Sequence, residues 1–240
     1  MMGPPLMEGG IYTGGRAVQS DECAEVQDAW TTPSEIIPPD EDTGIPHVPL
    51  EQGFGLDPLI LDLNGDGIIT TSPSWPVSFD LDGDGVASNM AWTNPFTEEG
   101  FLWVDLSPNG RVDDGRELFG TGTMMPSGQP APDGFQALAI YDRAAYGGND
   151  DWWIDRSDRI WGRLRVWVDR NHDGISAQDE IAPIHAHGVL GIDVRMSGSR
   201  PRTIDANGNT HLYQLTFLRR DRSRIVEGAI HCLTFAAPDP

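Results

Sequence analysis

Lysine is absent from this chain: all 16 of its basic residues are arginine, set against 37 acidic residues. The formal net charge of −21 excludes the basic face that nucleic-acid binding needs. No segment approaches the roughly 18 apolar residues of a membrane-spanning helix, and residues 1–15 lack the basic and apolar regions of a signal peptide. The two cysteines, Cys23 and Cys232, are too few for a disulfide framework and form either one bridge or two free thiols.

Four short acidic loops share the pattern D-x-[DNS]-x-[DN]-G, and they lie at residues 62–67, 80–85, 105–110 and 169–174. Side-chain oxygens at positions 1, 3 and 5 converge on one point, and glycine at position 6 permits the turn that aims the next carbonyl there. Such a site suits a hard cation with six to eight oxygen ligands, so the sequence predicts Ca²⁺ before Mg²⁺. The alternative for each loop is a turn between strands with its carboxylates facing water.

The four loops differ in completeness, because only the last has an acid at position 12 of a twelve-residue EF-hand loop. Its predicted ligands are Asp169, Asn171, Asp173, the Ile175 carbonyl and Glu180. The third loop has its closing acid at position 13, and its predicted ligands are Asp105, Ser107, Asn109, the Arg111 carbonyl, Asp113 and Glu117. The first two loops lack a closing acid and need a carboxylate from elsewhere or bind weakly. Their predicted ligands are Asp62, Asn64 and Asp66, and Asp80, Asp82 and Asp84.

A fifth, incomplete loop precedes the complete one. With Asn149 at position 3, the acids Asp151, Asp155 and Asp158 fall at positions 5, 9 and 12. However, Trp152 stands where the turn wants glycine, and position 1 has no oxygen ligand. The segment therefore fits a loop that caps a helix beginning near Asp155 better than it fits a metal site.

The composition changes at Pro58. Residues 1–57 are acidic and rich in proline, which predicts a disordered leader, apart from a short helix at 21–30. Residues 58–240 form the predicted calcium-binding module. We expect an α+β fold: a small mixed module of short strands and helices built around EF-hand-like calcium loops, with a C-terminal antiparallel β portion.

The apolar pattern of the module predicts both strands and helices. Strands are predicted at 59–61, 76–80, 101–105, 191–196, 211–219 and 224–235. Helices are predicted at 133–142 and 157–168, with one or two helical turns at 113–119. The helix at 157–168 would be the incoming helix of the complete loop, and a brief outgoing helix would end before Pro183. A hairpin turn is predicted at 205–208.

The run at 57–68 resembles the start of the self-processing module of iron-regulated RTX proteins. The likeness continues through 79–85, 113–120 and 164–176 and covers about residues 57–195, with Glu-Leu-Phe-Gly and Leu-Arg-Val-Trp as its specific segments. In that family, calcium folds the module, which then cleaves the Asp-Pro bond at its own N-terminal edge. The resemblance therefore implies catalytic roles for Asp57 and Pro58. The segment 141–155 departs from the family because it is longer and lacks the middle Asp-Gly.

The chemistry of an Asp-Pro bond is consistent with this reading. The aspartate carboxyl can attack its own carbonyl carbon and close a five-membered anhydride, while the tertiary amide nitrogen of proline is readily protonated and expelled. About two Asp-Pro pairs are expected by chance, and two occur, at 57–58 and 239–240. Only the position ahead of the first loop distinguishes Asp57-Pro58. The new carboxyl end can acylate an amine, which in a chain without lysine is its own α-amine or an amine on another protein.

Three functions remain open: a self-cleaving protein, a non-catalytic calcium-stabilised structural or adhesion module, and a hydrolase that uses paired acids. The third has least support, because the acids already lie at calcium-ligand spacing. The paired acids Glu98-Glu99 and Asp150-Asp151 are expected to be solvated. Weak calcium loops require a calcium-rich compartment, so an extracellular or cell-surface location is predicted.

Overall fold

A computed structural model of the chain describes residues 56–196 and 202–238. This part of the chain is mostly β-structure. In chain order its strands are β1 (Leu59–Asp62), β2 (Val77–Phe79), β3 (Ser88–Met90), β4 (Glu99–Val104), β5 (Trp153–Asp155), β6 (Leu164–Trp167), β7 (Ile181–Pro183), β8 (Val189–Asp193), β9 (Thr203–Ile204), β10 (Thr210–Asp221) and β11 (Arg224–Thr234). Its α-helix, α1, spans Gly134–Ala139.

One antiparallel sheet organises the described residues. Its strand order is β5-β8-β10-β11-β1-β4-β6-β7, with β9 paired to β10, and β2 and β3 form a separate hairpin. Strand β1 therefore lies between β11 and β4, with Leu59 opposite Cys232 and Ile60 opposite Phe101. This placement carries the N-terminal edge of the module into the middle of the sheet.

Both faces of the sheet are covered by apolar side chains. Because side chains alternate across a strand, Leu59 and Leu61 pack in one cluster with Phe135 of α1, whereas Ile60 packs in the other with Trp92. All four residues of β1 are buried. Each fully buried large apolar side chain contributes about 1.5–3 kcal/mol, so the continuous apolar run at 59–61 suits a central, two-sided strand.

The expected α+β fold with EF-hand helices is wrong. The helix α1 and the 3-10 turn that follows it, Ile140–Asp142, give only one short helical segment. The predicted incoming helix at 157–168 is instead a 3-10 turn, Trp161–Arg163, followed by β6. The predicted outgoing helix after the complete loop is β7, which pairs with β6. The predicted calcium loops are thus held between strands.

The misassigned segment has two overlapping periods. Ile160, Leu164 and Trp167 are spaced as on one face of a helix, but Leu164, Val166 and Val168 also alternate as on a strand and share one core cluster. Trp167 points into the opposite cluster. A short apolar run cannot be assigned by period alone, and here the pairing of β6 with β4 and β7 decides the outcome.

Other elements agree with the sequence. Predicted strands are confirmed as β1, β2, β4, β8, β10 and β11, and the predicted hairpin turn joins β9 to β10. The helix predicted at 133–142 is confirmed, with the Asp133 carboxylate accepting the Gln136 N–H at its start. The helix predicted at 21–30 lies outside the described residues. Within the described residues, no helix is long and apolar enough to cross a membrane.

Candidate calcium loops and the Asp57–Pro58 bond

The four predicted loops share one backbone conformation, in which the position-1 carboxylate accepts the position-6 N–H. The N–H groups of Gly67, Gly85, Gly110 and Gly174 donate to Asp62, Asp80, Asp105 and Asp169 over 2.9, 2.9, 2.9 and 3.0 Å. These glycines have φ values of 95°, 90°, 74° and 69°. Glycine adopts such angles without strain, so the sequence pattern encodes this turn directly.

The complete loop brings its predicted side-chain ligands together. The Asn171 amide donates to Asp173 at 2.8 Å, and Asp173 also accepts the N–H of Ile175 at 2.8 Å. Glu180 closes the loop, because its carboxylate accepts the N–H groups of Arg170, Asn171 and Ala177. Burial raises the pKa of Asp169, and the Glu180 carboxylate raises it further. A bound cation would relieve this repulsion between like charges.

The third loop closes in the same way although its acid comes one position later. Glu117 accepts the N–H groups of Leu106, Ser107 and Asp113 at 2.9, 3.1 and 2.9 Å. These are loop positions 2, 3 and 9, the same positions that Glu180 contacts in the complete loop. Asp113 also accepts hydrogen bonds from the side chains of Ser107 and Asn109, at 2.8 and 2.6 Å. The Arg111 N–H donates to the Asn109 side chain. The 3-10 turn Gly115–Glu117 takes up the extra residue.

The first loop has a candidate closing acid on another strand. Glu99 pairs with Asp62 across β4 and β1, and its carboxylate accepts the Ile69 N–H at 3.1 Å and a bond from the Thr97 hydroxyl. The expectation that Glu99 is solvated is wrong, because only 1 % of its surface is exposed. Burial raises the pKa of Glu99, and the Asp66 carboxylate adds to the shift. Pairing across strands explains why sequence spacing missed this group.

The second loop brings three carboxylates close together. Carboxylate oxygens of Asp80, Asp82 and Asp84 lie within 4.8 Å of one another. The aliphatic part of Arg116 packs against Gly83, and its guanidinium forms an ion pair with Asp114 at 2.6 Å. Three converging carboxylates fit a hard cation, but the neighbouring guanidinium provides competing positive charge at this loop.

The fifth loop adopts the same conformation with an interrupted sequence. The Asp142 carboxylate accepts the N–H groups of Asp151 and Trp152 at 3.1 and 2.9 Å. The position-1 acids of the second, third and complete loops likewise accept the N–H groups of positions 5 and 6. The Asn149 amide donates to Asp151 at 2.9 Å, matching Asn171 and Asp173. Trp152 has a φ of 69°, a conformation that bulky residues rarely adopt. The sequence pattern does not reveal Asp142, because an insertion separates it from position 3.

Asp158 provides a separate sign that the fifth loop can hold a cation. One carboxylate oxygen accepts the Asp155 N–H at 2.7 Å, as a position-12 acid does, and the other is buried without a hydrogen-bond partner. Only 4 % of Asp158 is exposed. Burial raises its pKa, and the nearby carboxylates of Asp142, Asp155 and Asp151 raise it further. An unsatisfied buried oxygen costs about 1–3 kcal/mol, which a bound cation would offset.

Asp57, placed at the end of the predicted leader, is buried within the fold. Only 1 % of its surface is exposed. One carboxylate oxygen accepts the Thr121 N–H at 2.8 Å, and the other accepts the Gly134 N–H at 3.3 Å and the Cys232 thiol at 2.8 Å. Burial raises the pKa of Asp57 to about 6. The carboxyl is therefore held in place and exchanges its proton near neutral pH.

The bond that follows Asp57 is enclosed by backbone. A methyl group added to Gly120 would lie 3.2 Å from the Asp57 carbonyl oxygen and 3.3 Å from the Pro58 nitrogen, so this glycine packs directly on the peptide group. The Pro58 carbonyl accepts the Leu233 N–H at 3.2 Å. A cavity of about 10 Å³ adjoins the bond, roughly the space of one water molecule.

A short segment connects the acidic loops to this bond. The Gly115 N–H donates to the Asp80 carbonyl of the second loop at 2.8 Å, and Glu117 closes the third loop. A few residues later, Gly120 covers the peptide group and the Thr121 N–H holds the Asp57 carboxylate. Residues 115–121, which include the Glu-Leu-Phe-Gly sequence, therefore link two loops to the bond.

Two comparisons with known proteins found a match. A family model described as the SPM domain matches residues 59–230. The iron-regulated protein FrpA of Neisseria meningitidis serogroup C is 35 % identical over 167 residues, which cover 69 % of this chain and 14 % of that protein. The chain thus spans about a seventh of the length of this relative. These matches confirm the resemblance to iron-regulated RTX proteins at the level of the family.

Proposed function

The chain belongs to the SPM domain family, and on that premise we propose that it is a calcium-binding module that cleaves its own Asp57–Pro58 bond. The observation that carries the proposal is the buried carboxyl of Asp57, the residue whose backbone carbonyl forms the bond to Pro58. Three groups donate hydrogen bonds to this carboxyl: the N–H groups of Thr121 and Gly134 and the Cys232 thiol. Desolvation raises the pKa of this carboxyl to about 6. Perturbed titration in a buried, hydrogen-bonded setting is typical of reactive groups.

The reaction proceeds by intramolecular acyl transfer. A carboxyl oxygen of Asp57 attacks the Asp57 carbonyl carbon, and the resulting tetrahedral centre expels the Pro58 nitrogen. The carboxyl proton passes to that nitrogen, which leaves as a secondary amine, while Asp57 retains a five-membered anhydride. Water then opens the anhydride to two carboxyl groups. An amine on another protein can open it instead, which would form a new amide.

Calcium would complete the fold that holds these atoms. Glu180, Glu117 and Glu99 would close three of the loops, and Asp158 would close the fifth. The ion would neutralise carboxylates that otherwise repel one another, as the raised pKa of Asp169 beside Glu180 indicates. With Glu117 fixed, residues 118–121 would be fixed over the Asp57–Pro58 bond. Calcium thus acts through structure, and the protein's own groups perform the chemistry.

The pH dependence of cleavage tests this mechanism. Expulsion of proline requires a proton, and Asp57 carries one when it is neutral. Since its pKa is about 6, the reactive fraction falls from about one half at pH 6 to about one tenth at pH 7. At saturating Ca²⁺, we expect the rate of fragment formation to fall about fivefold from pH 6 to pH 7 and about tenfold from pH 7 to pH 8. A rate that rises or stays flat between pH 6 and pH 8 would contradict this role for Asp57.

The fifth loop gives an independent test of calcium binding. We expect Asp158→Asn to lower the number of calcium ions bound by one, because it removes the charge of the proposed closing ligand. Calorimetric titration with Ca²⁺ measures the stoichiometry. Asp221→Asn, an equal change of charge at an exposed position at the end of β10, is the matched control. Unchanged stoichiometry in Asp158→Asn would remove the fifth loop from the set of sites.

The relative named above and the acidic loops together favour a surface or secreted setting. Loops of moderate affinity fill where calcium is abundant, and the carboxyl end produced by cleavage could then be transferred to an amine of a neighbouring protein. We propose this location and this class of acceptor for the chain.

A further inference from the structure

We propose that Cys232 is a catalytic residue of the self-cleavage reaction, donating a hydrogen bond to the Asp57 carbonyl oxygen as negative charge develops there. The inference rests on the proposed function and adds a group that the family resemblance and the loop pattern do not identify. Cys232 contacts two of the reacting groups directly. They are the attacking Asp57 carboxyl and the carbonyl oxygen of the peptide group whose C–N bond is to be broken.

The sheet brings this thiol to the bond. Strand β11 pairs with β1 so that Cys232 lies opposite Leu59. The sulfur is 2.8 Å from one Asp57 carboxylate oxygen and 3.3 Å from the Asp57 carbonyl oxygen. Both distances are within range for a thiol donor, and no part of Cys232 is exposed. One S–H group can therefore serve either oxygen with little movement.

The thiol acts as a donor because it keeps its proton. Burial raises the pKa of Cys232 well above its usual value, and the carboxylates of Asp57 and Asp133 oppose a nearby thiolate. The nucleophile in cysteine chemistry is the thiolate, so attack by sulfur is disfavoured here. A neutral S–H remains available as a weak hydrogen-bond donor. Tyr213, opposite Cys232 across β10 and β11, adds a further titratable neighbour.

Negative charge develops on the Asp57 carbonyl oxygen during the reaction. Before attack this oxygen belongs to a neutral peptide group, whereas in the tetrahedral intermediate, once the carboxyl proton has passed to the Pro58 nitrogen, it carries the negative charge. A donor already placed at this oxygen interacts more strongly in the transition state than before attack, and such an interaction accelerates the step. The N–H groups of Thr121 and Gly134 contact the carboxylate, which leaves Cys232 as the donor that contacts both groups.

A pair of variants isolates the hydrogen bond. Cys232→Ala and Cys232→Ser both remove the sulfur, but only serine retains a donor. We expect Cys232→Ala to slow calcium-triggered cleavage by on the order of tenfold to a hundredfold, and Cys232→Ser to retain most of the rate. Rates are measured on the full chain, at saturating Ca²⁺ and at a temperature where melting curves show each variant folded.

The pH profile separates this role from simple packing. The hydrogen bond from Cys232 stabilises the ionised form of Asp57. Loss of this bond in Cys232→Ala should therefore move the midpoint of the rate profile to higher pH, whereas Cys232→Ser should stay near the wild-type value. Cys232→Val, which also lacks a donor but fills the space, should resemble Cys232→Ala if the alanine variant folds poorly. Equal rates and equal midpoints in the alanine, valine and serine variants would overturn the proposal. A wild-type chain that never cleaves would instead overturn the proposed function, and this role with it.

Discussion

Asp57→Asn is expected to leave the calcium-loaded chain uncleaved at Asp57–Pro58, with the rate reduced at least a thousandfold. The substitution removes both the nucleophilic oxygen and the proton that the Pro58 nitrogen requires, and residues acting as one catalytic unit give losses of this order. Asp57→Ala should behave in the same way. Fragment yield on a denaturing gel after incubation with Ca²⁺ measures the effect.

Calcium affinity in Asp57→Asn should stay unchanged, because Asp57 contacts Thr121, Gly134 and Cys232 and none of the proposed ligands. A calorimetric titration of Asp57→Asn in parallel with the wild type checks this point. Cleavage by Asp57→Ala at a rate near that of the wild type would show that another group performs the attack.

Asp57→Asn should also be more stable than the wild type at neutral pH. The pKa of Asp57 is about 6 in the folded state against 3.8 for an exposed aspartate. The folded state therefore binds this proton more tightly than the unfolded state. The stabilisation from that proton is complete below pH 3.8 and is lost as the pH rises through 6. Above pH 6 the buried carboxylate costs up to about 3 kcal/mol. We expect Asp57→Asn to raise the melting temperature at pH 7.5 and to lose this advantage near pH 4.

Removal of calcium should destabilise the module by several kcal/mol. Binding only to the native state contributes about 2.7 kcal/mol per site at a hundredfold excess of ligand over Kd. The net charge of −21 adds self-repulsion that cations relieve. Melting curves in Ca²⁺ and in a chelator measure the effect. Identical curves would contradict calcium binding in these loops.

Within that prediction, Glu180→Gln should cost more calcium affinity than Asp84→Asn. Glu180 closes the complete loop, and its carboxylate holds three backbone N–H groups. Asp84 belongs to the second loop, where Arg116 already supplies positive charge beside Gly83. Equal loss of affinity in Glu180→Gln and Asp84→Asn would show that loop completeness does not set affinity.

Asp169→Ala should abolish both calcium-dependent stability and cleavage, because the chemistry depends on the completed fold.

The sequence allowed most strands to be predicted, because alternating or continuous apolar runs end at turn-forming loops. It misled where two periods overlapped, as at 157–168, where tertiary pairing favoured a strand over a helix. The local loop pattern identified four turns because glycine is required at a positive φ. It found the fifth turn only in part, since Trp152 adopts that angle in place of glycine and the position-1 acid, Asp142, lies beyond an insertion.

The surroundings of the Asp57–Pro58 bond could not be predicted from local sequence. The donors to the Asp57 carboxylate come from positions 64, 77 and 175 residues further along the chain. No spacing rule joins such distant positions, which meet only because β1 enters the sheet between β4 and β11. The family resemblance pointed to the dipeptide, but the raised pKa of Asp57 and the contact with Cys232 depend on the assembled sheet.

The most direct measurement is the intact mass of the purified chain before and after Ca²⁺ is added at pH 6. The proposed function predicts two products, residues 1–57 and 58–240, with Pro58 as the new N-terminus. The second Asp-Pro pair, Asp239-Pro240, which lies outside the described residues, should remain uncut and serves as an internal control. A folded, calcium-saturated chain that keeps its full mass for days would contradict self-cleavage and leave a calcium-stabilised structural module.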